Sequence, residues 1–387
     1  MKRPIRIALA IDLQWPIKRH HEVYAGIQDY GKKEAPDWVL IPDLFPAQWI
    51  APRGGMPVYD AVIGRIEKSV AKAANKVGIP VVNVWLNSPV RTEVPSVLVD
   101  CEEAGKMAAE HLLSRGLNRL AGVGYRRDYA TKLYFQGMSS VARNRKVPLA
   151  LHYANYSDSD NEKNWHRFTR SADEWIDSWH SPIGIMTAYD EQARYLAMMC
   201  QRREILIPEQ IAFIGANDEE MQCEGSEPTL SSIDLGYYRA GYVAAELLDR
   251  LLKGEAPPAD PIMVPPADLV PRQSTDVYAV ADKTVGRAMR YIAEHCGEPI
   301  SVGDVVKHVG CDRQKLEKQF RKAGLHSINV EIVALRIELT KRLLIGSDEP
   351  IEDIAAKAGF GTAQHMRHVF RHKLKTTPTD FREKHRK

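Results

Sequence analysis

The chain has 387 residues, 44% apolar and 27% charged, an ordinary composition for soluble globular domains and a length suited to two or three of them. Its formal charge of +3 is uneven: residues 281–387 hold 21 Lys and Arg against 14 Asp and Glu, with seven of the 13 histidines, so the first 280 residues are net acidic. No apolar run approaches the ~20 residues that span a bilayer, and the five cysteines show no CxxC or Cys/His spacing for zinc, as expected of reduced thiols in a cytoplasmic protein.

The opening MKRPIRIALAIDLQW has a short apolar run that soon meets Asp12 and no small-residue cleavage site, so it reads as a buried first strand, IRIALAI (5–11). A helix follows over 21–34. VLIPDLF, DAVIGRI and VVNVWL continue the strands. EEAGKMAAEHLLSRG (102–116) is an amphipathic helix ending on Gly116. LAGVGY, IGIMTAY and IAFIGAND are further strands, with a helix over 191–205 between the last two. Apolar strands alternating with helices predict a parallel sheet covered on both faces.

Ligands bind such sheets beyond the carboxyl ends of the strands. Several strands here finish on polar residues: Asp12 and Gln14, Asn87, Asp100, Asp190, and the pair Asn217-Asp218. Helix N-capping explains any one of them equally well. As a set they suggest the wall of a polar pocket, where carboxylates and amides grip hydroxyls. With Trp15 and Trp85 as flat apolar faces, such a pocket suits a sugar.

A Pro-rich stretch, KGEAPPADPIMVPPADLVPRQSTD (253–276), ends the first domain near residue 277. The remaining segment, 278–387, reads as helical throughout, and two stretches in it repeat one pattern: DVVKHVGCDRQKLEKQF (304–320) and DIAAKAGFGTAQHMRHVF (353–370). Each starts on Asp, reaches Gly six residues later, then has a polar cap (Asp312, Thr362) and a helix closing on Phe320 or Phe370. That is a helix-turn-helix layout, whose second helix enters the DNA major groove. Ala355, Ala356 and Ala358 are expected to let the first helix pack closely on the second. Leu316 and Phe320, or Met366, Val369 and Phe370, face the core. The exposed faces carry Arg313, Gln314, Lys315, Glu317 and Lys318 in one unit, and Ala363, Gln364, His365, Arg367 and His368 in the other. Gln reads adenine, Arg or Lys reads guanine, and the rest hold phosphates. Residues 330–346 read as a long amphipathic spacer that would set the two helices in successive grooves roughly 34 Å apart.

On RIELTKRLL and IEDIAAKAGFGTAQHMRHVFRHKLKTTPTDFR, the last hundred residues resemble the AraC/XylS type of DNA-binding domain. The chain departs from that family at His368, where many members have Arg, and at Ala363, too small for a polar contact. SVLVDCEEAGKMAAEHLLSRGLNRLAGVG, IPEQIAFIGANDEE, PTLSSIDLGYYRAGYVAAELLDRLLKGE and LVPRQST resemble the effector domain of LacI/GalR regulators, related to periplasmic sugar-binding proteins. Such domains have two α/β lobes joined by three crossovers, with the effector between them. A LacI-like sensor followed by an AraC-like DNA domain is the arrangement of the xylose operon regulators. The resemblance therefore implies an α/β two-lobed periplasmic-binding-protein-like (type I) domain, 1–277, followed by an all-α domain with two helix-turn-helix motifs, 278–387. It places Asp100 and Asn217-Asp218 at effector-contacting positions and Asp190 beside another. In place of an Arg common in the 131–136 stretch this chain offers Lys132 and Tyr134, and His20-His21-Glu22 adds a polar group near the cleft that is not a metal site.

The expected function is a transcription regulator controlled by D-xylose or a similar small sugar, a homodimer acting on duplex DNA without membrane, metal or cofactor. An α/β enzyme is the competing class. Against it, the chain has no GxGxxG after its first strand, no GxxxxGK[ST], no GxSxG and no HExxH, so no catalytic residue is assigned. A purely architectural DNA-binding protein is the third reading.

Overall fold

Apolar runs without alternation need cover on both faces, and the first, β1 (Ile5–Ala10), is buried from Ile7 onward. The computed structural model describes residues 3–14, 17–50, 56–154, 162–225, 227–276, 282–347 and 349–385. The chain divides into two compact units: Met1–Ile207 with Ala212–Thr275, and Pro208–Ile211 with Asp276–Lys387.

The first unit begins β1, α1 (Lys18–Glu34), β2 (Trp38–Pro42), α2 (Ala47–Ile50), β3 (Ala61–Gly64), α3 (Lys68–Val77), β4 (Val81–Asn83) and β5 (Val97–Val99). It continues through α4 (Cys101–Ser114), β6 (Leu120–Tyr125), α5 (Tyr129–Arg145), β7 (Leu149–Ala154), α6 (Glu162–Ser178), β8 (Ile183–Thr187) and α7 (Asp190–Arg202). The rest is β9 (Ile211–Ala216), α8 (Glu220–Cys223), β10 (Ser231–Asp234), α9 (Tyr237–Leu252), β11 (Ile262–Val264) and β12 (Asp268–Val270). One sheet has the order β2-β1-β3-β4 and is parallel. The other has the order β12-β10-β9-β8-β6-β7 and carries an antiparallel edge, β12 on β10. β5 and β11 form a parallel pair of their own.

These sheets belong to two lobes. Helix α9 returns to the first, packing on α1, β3, β4 and β5, whereas α4 packs on α5 and β8 in the second. The chain crosses between lobes three times: at Asp100, at Leu235–Gly236 and at 265–267. The crossings lie side by side. The Asp100 N–H donates to Val264 O at 2.8 Å, and the Ala267 N–H to Asp234 O at 2.9 Å. Three short bonded strands of backbone form a hinge that can bend without breaking either sheet.

Glycine sets how closely the helices of the first lobe approach. A Cβ on Gly26 of α1 would lie 2.1 Å from Tyr238 O, and one on Gly241 of α9 would lie 2.1 Å from Val23 O. Each helix thus admits the other's backbone where a side chain would stand, which fixes α1, and the residues at its start, against α9.

The second unit is α10 (Lys283–His295), α11 (Val302–Val309), α12 (Arg313–Lys322), α13 (Ile328–Gly346), α14 (Ile351–Lys357), α15 (Ala363–Leu374) and α16 (Pro378–His385). It has two small cores. One gathers Val285, Met289, Ile292, Val305, Leu316, Phe320, Ile328 and Ile332; the other gathers Ile337, Leu344, Ile354, Phe360, Met366 and Phe370. Helix α13 serves both, its first half facing one core and its second half the other. It is therefore apolar on more than one side, not the one-faced amphipathic spacer that its sequence suggests. Arg336 in its middle donates to the carbonyl oxygens of Cys296 (3.0 Å) and Glu298 (2.8 Å), tying α13 to the end of α10. Among the described residues no helix is long and apolar enough to cross a membrane.

Candidate functional site

Two connected spaces open beside the hinge. The larger, about 580 Å³, is walled by the first lobe, with Asp12, Arg19, His20, Arg65, Glu67 and Trp85 as its polar and aromatic lining. That volume is in the range of small-molecule pockets. The smaller inner space, about 40 Å³, lies between the lobes: Arg19, Trp85, Asn87 and Tyr237 face it from one, and Tyr134, Tyr189 and Asn217 from the other. Both spaces share Arg19, Val84, Trp85 and Tyr237.

The wall is built from element ends. Arg19 and His20 sit in the first turn of α1, which begins three residues earlier than the apolar pattern indicates because its opening turn is polar and faces the cleft. The Arg19 guanidinium lies 4.7 Å from the centre of the Trp85 ring, and Arg65 lies 5.8 Å from it. The His20 ring stands 5.3 Å from Trp85, with Nδ1 2.7 Å from the Asp12 carbonyl oxygen. That oxygen can only accept, so Nδ1 carries the proton; burial lowers the His20 pKa, and the neutral ring keeps Nε2 as an acceptor. The Tyr237 hydroxyl donates to Asn217 Oδ1 at 3.0 Å. Asn217 is 5% exposed, and its amide N–H groups are donors at the cleft wall.

The sequence-selected positions distribute unevenly. Trp85 and Asn217 line the inner space; Trp15 lies outside the described residues. Asp100, Asp190 and Asp218 are not among the residues lining either space. Asp100 caps α4, accepting from the Glu103 N–H at 2.9 Å, on the first crossover. Asp218 pairs with Lys18 at 3.0 Å and Arg272 at 2.8 Å in an outer groove. Asp190 is fully buried behind the wall. Its Oδ1 accepts from the Ser232 hydroxyl at 2.6 Å and its Oδ2 from the Glu219 N–H at 2.9 Å. Gly215 leaves room for it, because a Cβ there would lie 1.9 Å from Asp190 Oδ1. Of the 131–136 stretch, Tyr134 lines the inner space and Lys132 is exposed. Arg19, Tyr189 and Tyr237 were not legible as site residues: each sits at or beside a helix start, and at the first two the adjacent His20 and Asp190 drew the ligand reading instead.

Burial pushes the Asp190 carboxyl from an ordinary 3.8 up to about 7, against the two hydrogen bonds that favour its charge. A raised folded-state pKa means that the folded chain binds the proton more tightly than the unfolded chain does. Its contribution to stability is therefore full at acid pH and lost as pH rises through about 7. Asp190→Asn removes this dependence. Between pH 5 and 8 the denaturation midpoint of the parent should fall relative to the variant, by the equivalent of roughly 2 kcal/mol; parallel curves would show that Asp190 does not titrate there.

The helical unit presents the second candidate surface. Ser301 caps α11 in a reciprocal box with Asp304, and Gly310 ends it at φ +71°. Asp312 caps α12, accepting from the Lys315 N–H at 3.1 Å; Thr362 caps α15, accepting from the His365 N–H at 3.1 Å. In the second turn Gly359 has φ +71°, and a Cβ there would lie 2.1 Å from Cys296 O. Leu316, Phe320, Met366 and Phe370 are buried; Val369 is half-buried. Ala355 and Ala358 are buried as expected, but Ala356 is exposed, because it falls on the far side of so short a helix. Arg313, Gln314, Lys315 and Lys318 are exposed on α12, as are Gln364, His365, Arg367 and His368 on α15; Glu317 and Ala363 are half-buried. Arg367 is not electrically isolated: it donates to Glu352 at 2.7 Å.

Comparison with known proteins agrees with both halves. Residues 109–275 match the family described as a periplasmic binding protein-like domain, and residues 305–384 match a helix-turn-helix domain. The chain is 28% identical over 377 residues to the xylose operon regulatory protein of Escherichia coli K12, covering 94% of this chain and 93% of that one. It is 30% identical over 293 residues to the protein of that name from Haemophilus influenzae, covering 74% of each. A solved structure titled a xylose-binding transcription activator superposes with a TM-score of 0.69 at 26% identity, over 99% of this chain and 98% of that one.

Proposed function

The chain belongs to the xylose operon regulator family, and from that premise we propose that it is a sequence-specific DNA-binding transcription activator controlled by D-xylose. The observation that carries the sugar reading is the inner cleft. Tyr134, Tyr189 and Asn217 of one lobe face Asn87 and Tyr237 of the other across a narrow inner space that opens into the larger cavity of about 580 Å³, which has room for a pentose. Amides and phenols both donate and accept, as a hydroxyl-covered pentose requires. A sugar that fills the cleft bonds to both lobes at once, so it binds the closed arrangement better than the open one. A 100-fold preference shifts that balance by about 2.7 kcal/mol.

In this reading Trp85, with Arg19 laid over it, and Asn217 touch the sugar. Trp15, five residues beyond the end of β1 in sequence, is assigned to the sugar as a second aromatic face. Asp100 acts at the hinge, while Asp190 and Asp218 hold the turn that carries Asn217. The domain division near residue 277 separates sensing from DNA reading. On the DNA side Arg313, Gln314, Lys315 and Lys318 form one reading face, and Gln364, His365, Arg367 and His368 the other. Two chains pair, and closure of their lobes resets the spacing of their DNA units; pairing also enlarges a short recognition site by linkage. The protein works in the cytoplasm, where its DNA is.

Thermal unfolding with a panel of pentoses and hexoses tests the proposal. A ligand bound only by the folded chain raises the melting temperature by mass action. D-xylose should give the largest rise. A larger rise with another sugar would reassign the effector, and no rise with any of them would remove the sugar reading.

A further inference from the structure

Helix α1 starts without a cap of its own. The residue before it, Ile17, has no polar side chain, and the first-turn N–H groups of any helix need acceptors from elsewhere. Here the acceptor comes from the opposite lobe, 201 residues away: both Glu219 carboxylate oxygens accept from the Lys18 N–H, at 3.1 and 3.3 Å. Beside it the Lys18 ammonium donates to the carbonyl and the carboxylate of Asp218, each at 3.0 Å. Burial works against that ammonium, but Asp218, Glu22 and Asp234 outweigh it and hold its pKa above the usual lysine value.

The turn that provides these groups is held stiffly from behind. The Asn217 N–H donates to Ile233 O (3.0 Å), the Asp218 N–H to Ser232 Oγ (3.0 Å) and the Glu219 N–H to Asp190 Oδ2 (2.9 Å). Asn217 and Asp218 both adopt positive φ, 100° and 52°. One short turn therefore has two ends with different work. Asn217 faces the cleft and receives Tyr237, while Asp218 and Glu219 clasp the start of the helix whose next two residues, Arg19 and His20, line the cavity.

We propose that Glu219 is a positioning residue for effector binding: its carboxylate caps α1 across the cleft only when the lobes are together, and so latches closure over the sugar. Effector contact at Asn217 and docking of Glu219 are then one movement, since both ride on the same rigid turn. Opening leaves the α1 terminus uncapped and the half-buried Lys18–Asp218 pair broken. The dipole of a 17-residue helix favours the anion at that end. The inference rests on the cleft being the effector site, but the latch itself can be read without any sugar.

The experiment compares the full-length chain with Glu219→Ala and Glu219→Gln. Hydrogen exchange of the first turn of α1, without sugar, should speed up about tenfold in Glu219→Ala, and less in Glu219→Gln, which keeps one acceptor oxygen. Stopped-flow tryptophan fluorescence with D-xylose should show a dissociation rate raised about tenfold in Glu219→Ala, with association rate and binding stoichiometry unchanged and the Gln variant in between. A merely misfolded variant would lose stoichiometry instead. Unchanged exchange at α1 would overturn the latch. Faster exchange with an unchanged dissociation rate would reduce Glu219 to a local cap and overturn its coupling to the effector. If the parent binds no sugar at all, the effector reading fails, while the exchange comparison still decides whether the latch exists.

Discussion

Replacing Asn217 with glycine should lower the affinity for D-xylose about 100-fold while leaving DNA binding without sugar intact. Glycine is the informative choice because Asn217 has φ +100°, a conformation that alanine would strain. The Asn217 side-chain Oδ1 accepts from the Tyr237 hydroxyl, so its side-chain N–H groups are what it offers a ligand. Loss of two such bonds in a site 5% exposed costs about 3 kcal/mol, or two powers of ten. Tyr237→Phe removes the bond that orients the amide together with one phenol oxygen of the cleft wall, and should cost about tenfold. Isothermal titration reads both. Full affinity in the glycine variant would place the sugar elsewhere.

On the DNA side, Lys315→Gln combined with Lys318→Gln should reduce the salt slope of binding to a mixed-sequence duplex by about 2, one for each phosphate that is no longer neutralised, and each substitution should weaken binding roughly tenfold. Both side chains are exposed on α12. Arg367 gives the opposite sign through its partner. Glu352 pairs with it at 2.7 Å on the exposed surface, so Glu352→Gln should raise the slope, by at most about 1, as Arg367 becomes more available to phosphate. Fluorescence anisotropy across a salt series measures all three. A slope unmoved by the double substitution would take α12 off the DNA.

The features legible in the sequence were those encoded locally. The strands β1, β6, β8 and β9 are continuous apolar runs, and both helix-turn-helix units announce themselves through Asp304 to Gly310 and Asp353 to Gly359, with caps at Asp312 and Thr362 where the pattern put them. Less was visible wherever a partner lies far along the chain. Helix α6 buries Phe168, Ala172 and Ile176, four residues apart among charged neighbours, and the sparse stripe did not stand out. Nothing near Asp218 reveals that Lys18 and Arg272 will meet it. Nothing near Trp85 reveals that Arg19 will lie across its ring. Strand-end polar residues looked equivalent one by one. The fold sorts them: Asn217 faces the cleft, Asp190 lies behind it, Asp100 is on the hinge and Asp218 faces the outer groove.

Regulation by a sugar requires that occupancy of the cleft and DNA binding by the helical unit be energetically coupled. The most direct test is the dissociation constant of the full-length chain for a duplex that it selects in vitro, with and without saturating D-xylose, paired with the D-xylose affinity with and without that duplex. Linkage requires the two ratios to be equal, and a common factor of about ten or more is expected. Identical DNA affinity with and without bound sugar would mean that the two sites act independently.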